Sequence, residues 1–134
     1  LSGAEEAGIL PAISYMAGLS GGAWGISSLM MTSLAPYQFL TNFSQRVARG
    51  VISDVVASEL MTILWRKVAF NQPLSSIDIF GALITQRMLG WYTQDLSKLT
   101  LSGQIQRAER GELPYPIYSA ITTKEVPYGW VEFT

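Results

Sequence analysis

The stretch Ala12-Ile13-Ser14-Tyr15-Met16-Ala17 is short, mostly apolar and closed by Gly18, a pattern that predicts a strand buried on both faces of a parallel sheet. Before it, Leu1 to Ala7 reads as the tail of a helix, with Glu5 and Glu6 exposed and Gly8 as its C-cap. After it, a helix is predicted to start near Gly22 and to run to about Leu34, where Pro36 stops it. From Ser44 to Phe70 the apolar positions Val47, Val51, Val55, Leu60, Ile63, Leu64 and Val68 fall close to the helical period. Arg46, Arg49, Asp54, Glu59 and Arg66 lie elsewhere on the wheel, so one long amphipathic helix is expected. Asn71-Gln72-Pro73 breaks it, and Ser75-x-x-Asp78 is a capping box of the acidic kind that opens a helix reaching about Tyr92. Thr100 to Arg110 predicts a further short helix capped by Gly111. Tyr115–Thr122 and Trp130–Thr134 read as strands joined by a turn through Pro127-Tyr128-Gly129.

Strand, tight turn, helices and strands in this order imply an α/β class with a mixed sheet. No repeat or linker divides residues 1–134, which read as a single incomplete domain, the central part of a larger catalytic domain whose flanking strands would complete the sheet. From Ala7 to Gln45 there is no charged side chain, which raises the question of a membrane span. Pro11, Gly18, Gly21, Gly22, Gly25 and Pro36 interrupt that run, so it reads instead as a buried strand, turn and helix. No basic segment precedes it and residue 1 is Leu, so neither a signal peptide nor an initiator is read.

Hydrophobic residues make up 49% and charged ones 14%, enough apolar material for a folded core and too little charge for a disordered tail. A net charge of −1 leaves no broad basic field, which argues against nucleic acid as a partner. The chain has no Cys and no His. It therefore has no disulfide or thiolate, lacks the usual zinc ligands, and cannot contain a Ser-His-Asp triad within itself. No metal and no cofactor are expected. Any serine chemistry here needs another base.

Gly18-Leu19-Ser20-Gly21-Gly22 matches G-x-S-x-G, placed after a predicted strand and before a predicted helix, the context that the motif requires. A serine on such a sharp turn has strained backbone angles, and side chains two residues either side would collide, so Gly18 and Gly22 are read as making room. The turn puts Ser20, the candidate nucleophile, at the positive end of the following helix, where the Gly21 N–H can donate to a developing oxyanion. The bland alternative is a glycine-rich strand-to-helix turn packed closely for geometric reasons. Leu101-Ser102-Gly103-Gln104 and Leu19-Ser20-Gly21-Gly22 each match part of an ABC ATPase signature, but no phosphate-cradling loop accompanies them. Trp24, Met30, Met31 and Phe39 are candidates for lining an acyl pocket, or simply core. Tyr37, Trp65, Trp91 and Tyr92 are candidate lipid-interface anchors. Asn42-Phe43-Ser44 is a glycosylation sequon, informative only in a secreted protein.

The longer string Tyr15-Met16-Ala17-Gly18-Leu19-Ser20-Gly21-Gly22-Ala23-Trp24 resembles the nucleophile segment of the cytosolic phospholipase A₂ and fungal phospholipase B (lysophospholipase) family. Ser75-Ser76-Ile77-Asp78-Ile79-Phe80-Gly81-Ala82 looks like that family's Asp-aromatic-Gly helix start. Leu113-Pro114-Tyr115-Pro116-Ile117-Tyr118 resembles its Pro-x-Pro-Ile strand, and Trp130-Val131-Glu132-Phe133-Thr134 its Trp-x-Glu-Phe-Thr strand. The matches come in family order over residues 9–134, although the segment between Pro36 and Pro73 adds little.

The resemblance implies a patatin-like, cytosolic phospholipase A₂-type fold and a serine hydrolase of glycerophospholipids or lysophospholipids, independent of zinc and calcium, working at a membrane or micelle surface. In that family a serine works with an aspartate and no histidine, through an acyl-enzyme. The matching aspartate is expected after Thr134, and a glycine-rich loop with the other oxyanion donors and a phosphate-facing arginine upstream, so this chain alone is expected to be inactive. Asp54, Asp78 and Asp95 read as solvated helix faces or caps. Family members are cytosolic with peripheral membrane contact, or secreted. Two alternatives stay open: a non-catalytic lipid-binding or scaffolding protein of the same fold, and a general esterase whose histidine lies outside this segment.

Overall fold

Two strands a hundred positions apart in sequence, β1 (Tyr15–Leu19) and β2 (Tyr115–Thr122), pair in parallel, with Tyr15 opposite Tyr115 and Gly18 opposite Tyr118. β3 (Gly129–Phe133) then pairs antiparallel to β2, giving a mixed sheet in the order β1-β2-β3. A computed structural model of the chain describes residues 1–50, 56–93, 95–122 and 127–134. They divide into two units, Leu1–Phe39 with Leu101–Thr134, and Leu40–Thr100.

In the first unit, α1 (Ser2–Glu6) ends at Gly8, whose φ of +69° favours a residue without a Cβ, and a 3₁₀ turn at Leu10–Ala12 leads into β1. α2 (Gly21–Met31) packs on β1 and β2 and against a second 3₁₀ turn, Leu101–Gln104, which continues into α6 (Ile105–Glu109). The core of this unit is Met16, Leu29, Met30, Phe39, Leu113 and Tyr118. Gln104 lies buried there and its side-chain oxygen accepts a hydrogen bond from the Tyr118 hydroxyl. Burial pushes that phenol up to about 12, so it stays a neutral donor.

α3 (Pro36–Val47) begins in the first unit and ends in the second. Its first turn is capped from α1, because the Glu5 carboxylate accepts the Tyr37 N–H at 2.8 Å. Within the second unit, α4 (Ala57–Ala69) and α5 (Ser76–Leu89) pack on each other and on a 3₁₀ turn at Leu96–Lys98. Asp78 accepts both the backbone N–H and the hydroxyl of Ser75 at 2.7 Å and pairs with Lys67, joining the start of α5 to the last turn of α4. Those contacts, Lys67 first, hold the Asp78 carboxyl down at about 2. Buried Gln86 donates to the Val56 carbonyl at 2.8 Å and so ties α5 to the entry of α4.

Several sequence expectations need correction. The first strand covers residues 15–19, not 12–17, because its register with β2 extends through Leu19↔Ser119 and places Gly18 inside the strand. It is not covered on both faces: Tyr15, Ala17 and Leu19 are exposed, while Met16 and Gly18 face the helix side. α2 stops at Met31, where Thr32 turns to extended backbone and its hydroxyl donates to the Leu29 carbonyl. Pro36 opens α3 as well as barring α2, since a proline at the first helical position loses no bond. The predicted Ser44–Phe70 helix is not continuous: α3 ends at Val47 with Gly50 at φ +82°, and α4 starts at Ala57. Val51, Asp54 and Val55 lie outside the described residues, as do residues 123–126. The expected helix to Tyr92 ends at Leu89.

Candidate active site

β1 delivers the chain into a turn at Ser20, and α2 leaves it one residue later. Ser20 has φ 52° and ψ −124°, a region that L-residues rarely enter. The surrounding packing imposes that cost. A Cβ at Gly18 would stand 2.8 Å from the Ala23 nitrogen and 2.9 Å from its Cα, so only glycine lets the first turn of α2 fold back onto β1. Ser20 is exposed. The steric reason anticipated for Gly22 does not hold, because a Cβ there meets nothing within 4 Å.

The first intrahelical bond of α2 runs from the Trp24 N–H to the Ser20 carbonyl at 3.2 Å. The amides of Gly21 and Gly22 therefore precede the helical ladder, at the end of α2 where the macrodipole is positive. A backbone N–H beside an exposed hydroxyl is the arrangement that stabilises an oxyanion formed at that point. The opposite end of α2 is buried: Ser28, Leu29, Met30 and Thr32 are each 3% exposed or less. Met30 is therefore core, not pocket wall, and Phe39 is core as well. Trp24, on the first turn of α2, is 42% exposed. Trp65 and Tyr92 in the second unit and Tyr37 in α3 present exposed rings, while the Trp91 indole N–H is taken by the Met88 carbonyl. Asn42 of the sequon is exposed on helical α3.

No aspartate occurs in the first unit. Asp78 is the α5 cap, and Asp95 pairs with Lys98 at 2.9 Å, in line with the cap and surface roles expected of them. Among the described residues no cluster of His, Cys, Asp or Glu is suited to hold a metal, and no helix is long and apolar enough to cross a membrane. One polar residue near the turn's supporting helix escaped the sequence reading. Arg107 of α6 is buried and reaches the C-terminal end of α2, and nothing in the spacing of a short helix with mixed polarity distinguishes it from a solvated arginine.

A family model described as "Lysophospholipase catalytic domain" matches residues 2–129. Human "Cytosolic phospholipase A2 gamma" is 30% identical over 142 aligned residues, covering 100% of this chain and 25% of that protein. Mouse "Cytosolic phospholipase A2 zeta" is 28% identical over 146 aligned residues, covering 100% of this chain and 17% of that protein. The solved structure of "Human GIVD cytosolic phospholipase A2" superposes with a TM-score of 0.75 at 20% identity, over 97% of this chain and 18% of that one, a likeness of fold. The chain thus spans a quarter or less of the length of these relatives. With strand, strained serine turn and helix in the arrangement the motif requires, and a family model over nearly its whole length, the chain belongs to the lysophospholipase catalytic-domain family.

Proposed function

We propose that the whole protein carrying this chain hydrolyses acyl esters of glycerophospholipids or lysophospholipids, with Ser20 as nucleophile. The observation that carries this reading is the exposed Ser20 held at φ 52°, ψ −124° between β1 and α2. The Ser20 oxygen attacks the ester carbonyl while its proton passes to a carboxylate base, and the Gly21 N–H donates to the resulting oxyanion. Collapse of the tetrahedral species expels the alcohol portion, protonated by the same base, and leaves an acyl-serine. Water then attacks the acyl-serine, releasing fatty acid and restoring the hydroxyl. A carboxylate with a pKa near 4 is a weak base for a hydroxyl in water, so the pair must work in a dry, preorganised site.

The base is an aspartate outside this chain, as are further oxyanion donors, so the 134 residues alone turn over no substrate. The exposed rings of Trp65 and Tyr92, both in the second unit, suit peripheral contact with a membrane or micelle surface. The test is turnover of a fluorogenic lysophospholipid by the whole protein, with Ser20→Ala expected to lower kcat by at least about a thousandfold. Unchanged turnover in that variant removes the nucleophile assignment. Labelling by a fluorophosphonate separates an enzyme from a lipid-binding relative of the same fold, because an inert turn gives no adduct at Ser20.

A further inference from the structure

The N-terminal end of α2 has to stay open to substrate, so whatever fixes this helix in place acts elsewhere along it. Gly18 holds the first turn against β1 by close approach. At the far end, about 16 Å away for an eleven-residue helix, the Arg107 guanidinium closes on the backbone. One terminal nitrogen, Nη1, donates to the Leu29 carbonyl at 2.9 Å and also to the Thr32 carbonyl. The other, Nη2, donates to the Leu34 carbonyl at 3.0 Å. Nε donates to the Glu112 carboxylate at 3.0 Å, which fixes the plane of the fork. Glu112 turns its second oxygen to Arg110 at 2.6 Å, and the two arginines hold its carboxyl below the usual range.

Leu29 lies in the last turn of α2, where its carbonyl also accepts the Thr32 N–H, and Thr32 and Leu34 follow the helix end, so a fixed positive charge stands at the negative end of the dipole. Arg107 is 8% exposed, so its charge is removed from water and compensated by this set of acceptors. A helix is stiff along its axis. Holding the Leu29 carbonyl in its last turn, and the two carbonyls just after it, fixes the position of its first amides.

We propose that Arg107 is a positioning residue for the Ser20 turn: its clamp on the carbonyls of Leu29, Thr32 and Leu34 sets the axial placement of α2 and thereby the aim of the Gly21 N–H at the reacting carbonyl. This rests on Ser20 being the nucleophile. A misplacement of about 1 Å at such a site costs on the order of a hundredfold in rate.

The experiment uses the whole protein as wild type, Arg107→Lys, Arg107→Met and Arg110→Ala, and measures the rate of fluorophosphonate adduct formation at Ser20 per folded molecule, the folded fraction being taken from thermal unfolding. Arg107→Met is expected to label at least about tenfold more slowly, and Arg107→Lys at an intermediate rate because an ammonium keeps the charge and fewer bonds. Arg110→Ala should match wild type, since Arg110 touches only the outer oxygen of Glu112. Wild-type labelling by folded Arg107→Met overturns the proposal; if that variant does not fold, wild-type labelling by Arg107→Lys overturns it. Should wild type itself form no adduct, the nucleophile reading fails, and the clamp is judged by hydrogen exchange at the Trp24 amide, the first bonded amide of α2. Faster exchange in Arg107→Lys supports the clamp and unchanged exchange sinks it.

Discussion

The unit that carries Ser20 and the unit from Leu40 to Thr100 differ in how deeply their helices are gripped. In the first, α2 is gripped by a glycine contact at one end and a buried guanidinium at the other, over the side chains of Met16, Leu29, Met30 and Tyr118. In the second, α4 has no fully buried residue, and Met61, Trp65 and Phe70 are among the most exposed apolar side chains of the chain. That unit buries Ala82, Leu89 and Leu96, and its helices are also tied by polar links at their ends, Lys67 to Asp78 and Gln86 to Val56. The close packing around α2 surrounds the helix that follows Ser20.

The sharpest way to break this contrast is to truncate one buried and one exposed side chain. Leu29→Ala is expected to cost about 2–5 kcal/mol in urea unfolding of the whole protein, and Met61→Ala to stay within about 0.5 kcal/mol. A comparable cost at Met61 means that another part of the protein covers the α4 face. A smaller effect separates the two outer glycines of the serine motif. Gly18→Ala drives a methyl into Ala23 and should cost about 1–3 kcal/mol, with slower labelling at Ser20. Gly22→Ala meets open space and should be neutral or stabilising by up to about 1 kcal/mol. Lost labelling with intact stability in that variant assigns Gly22 to clearance for the substrate instead.

The smallest effect lies in the second unit and depends on pH. The Asp78 carboxyl titrates at about 2, below the 3.8 of an unconstrained aspartate. Its contribution is therefore complete above pH 3.8 and is lost as the pH falls toward 2. Hydrogen exchange of α5 amides should rise over that window in wild type and show no such step in Asp78→Ala, which already lacks the cap.

Local chemistry was legible from the sequence wherever one residue decides the backbone. Gly8 and Gly111 occupy positive φ at the ends of α1 and α6, Ser75 with Asp78 opens α5, and β2 has the bounds its apolar run predicts. The strand–serine–helix order was legible for the same reason. What the pattern hid depends on partners distant in sequence. The register of β1 is set by β2, so the apolar run from Ala12 misplaced the strand by three residues at its start. Periodicity carried through Gly50 and merged α3 with α4, because valines on both sides of the break share a helical phase. Arg107 cannot be told from a solvated arginine in the sequence because its acceptors are carbonyls more than seventy positions upstream, and a carbonyl carries no side-chain signature.

The hundred-position gap between Tyr15 and Tyr115 also governs when the Ser20 turn comes into being. Closing a loop of that length costs about 4 kcal/mol of chain entropy before any contact repays it. At about 5–20 residues per second, β2 follows β1 out of the ribosome by about 5–20 s. Until then the edge of β1 has no β2 to zip onto and Ser20 has no rigid bend to sit on. Parallel pairing across such a span means that the bend at Ser20 is fixed against β2 only after residues 115–122 have been synthesised.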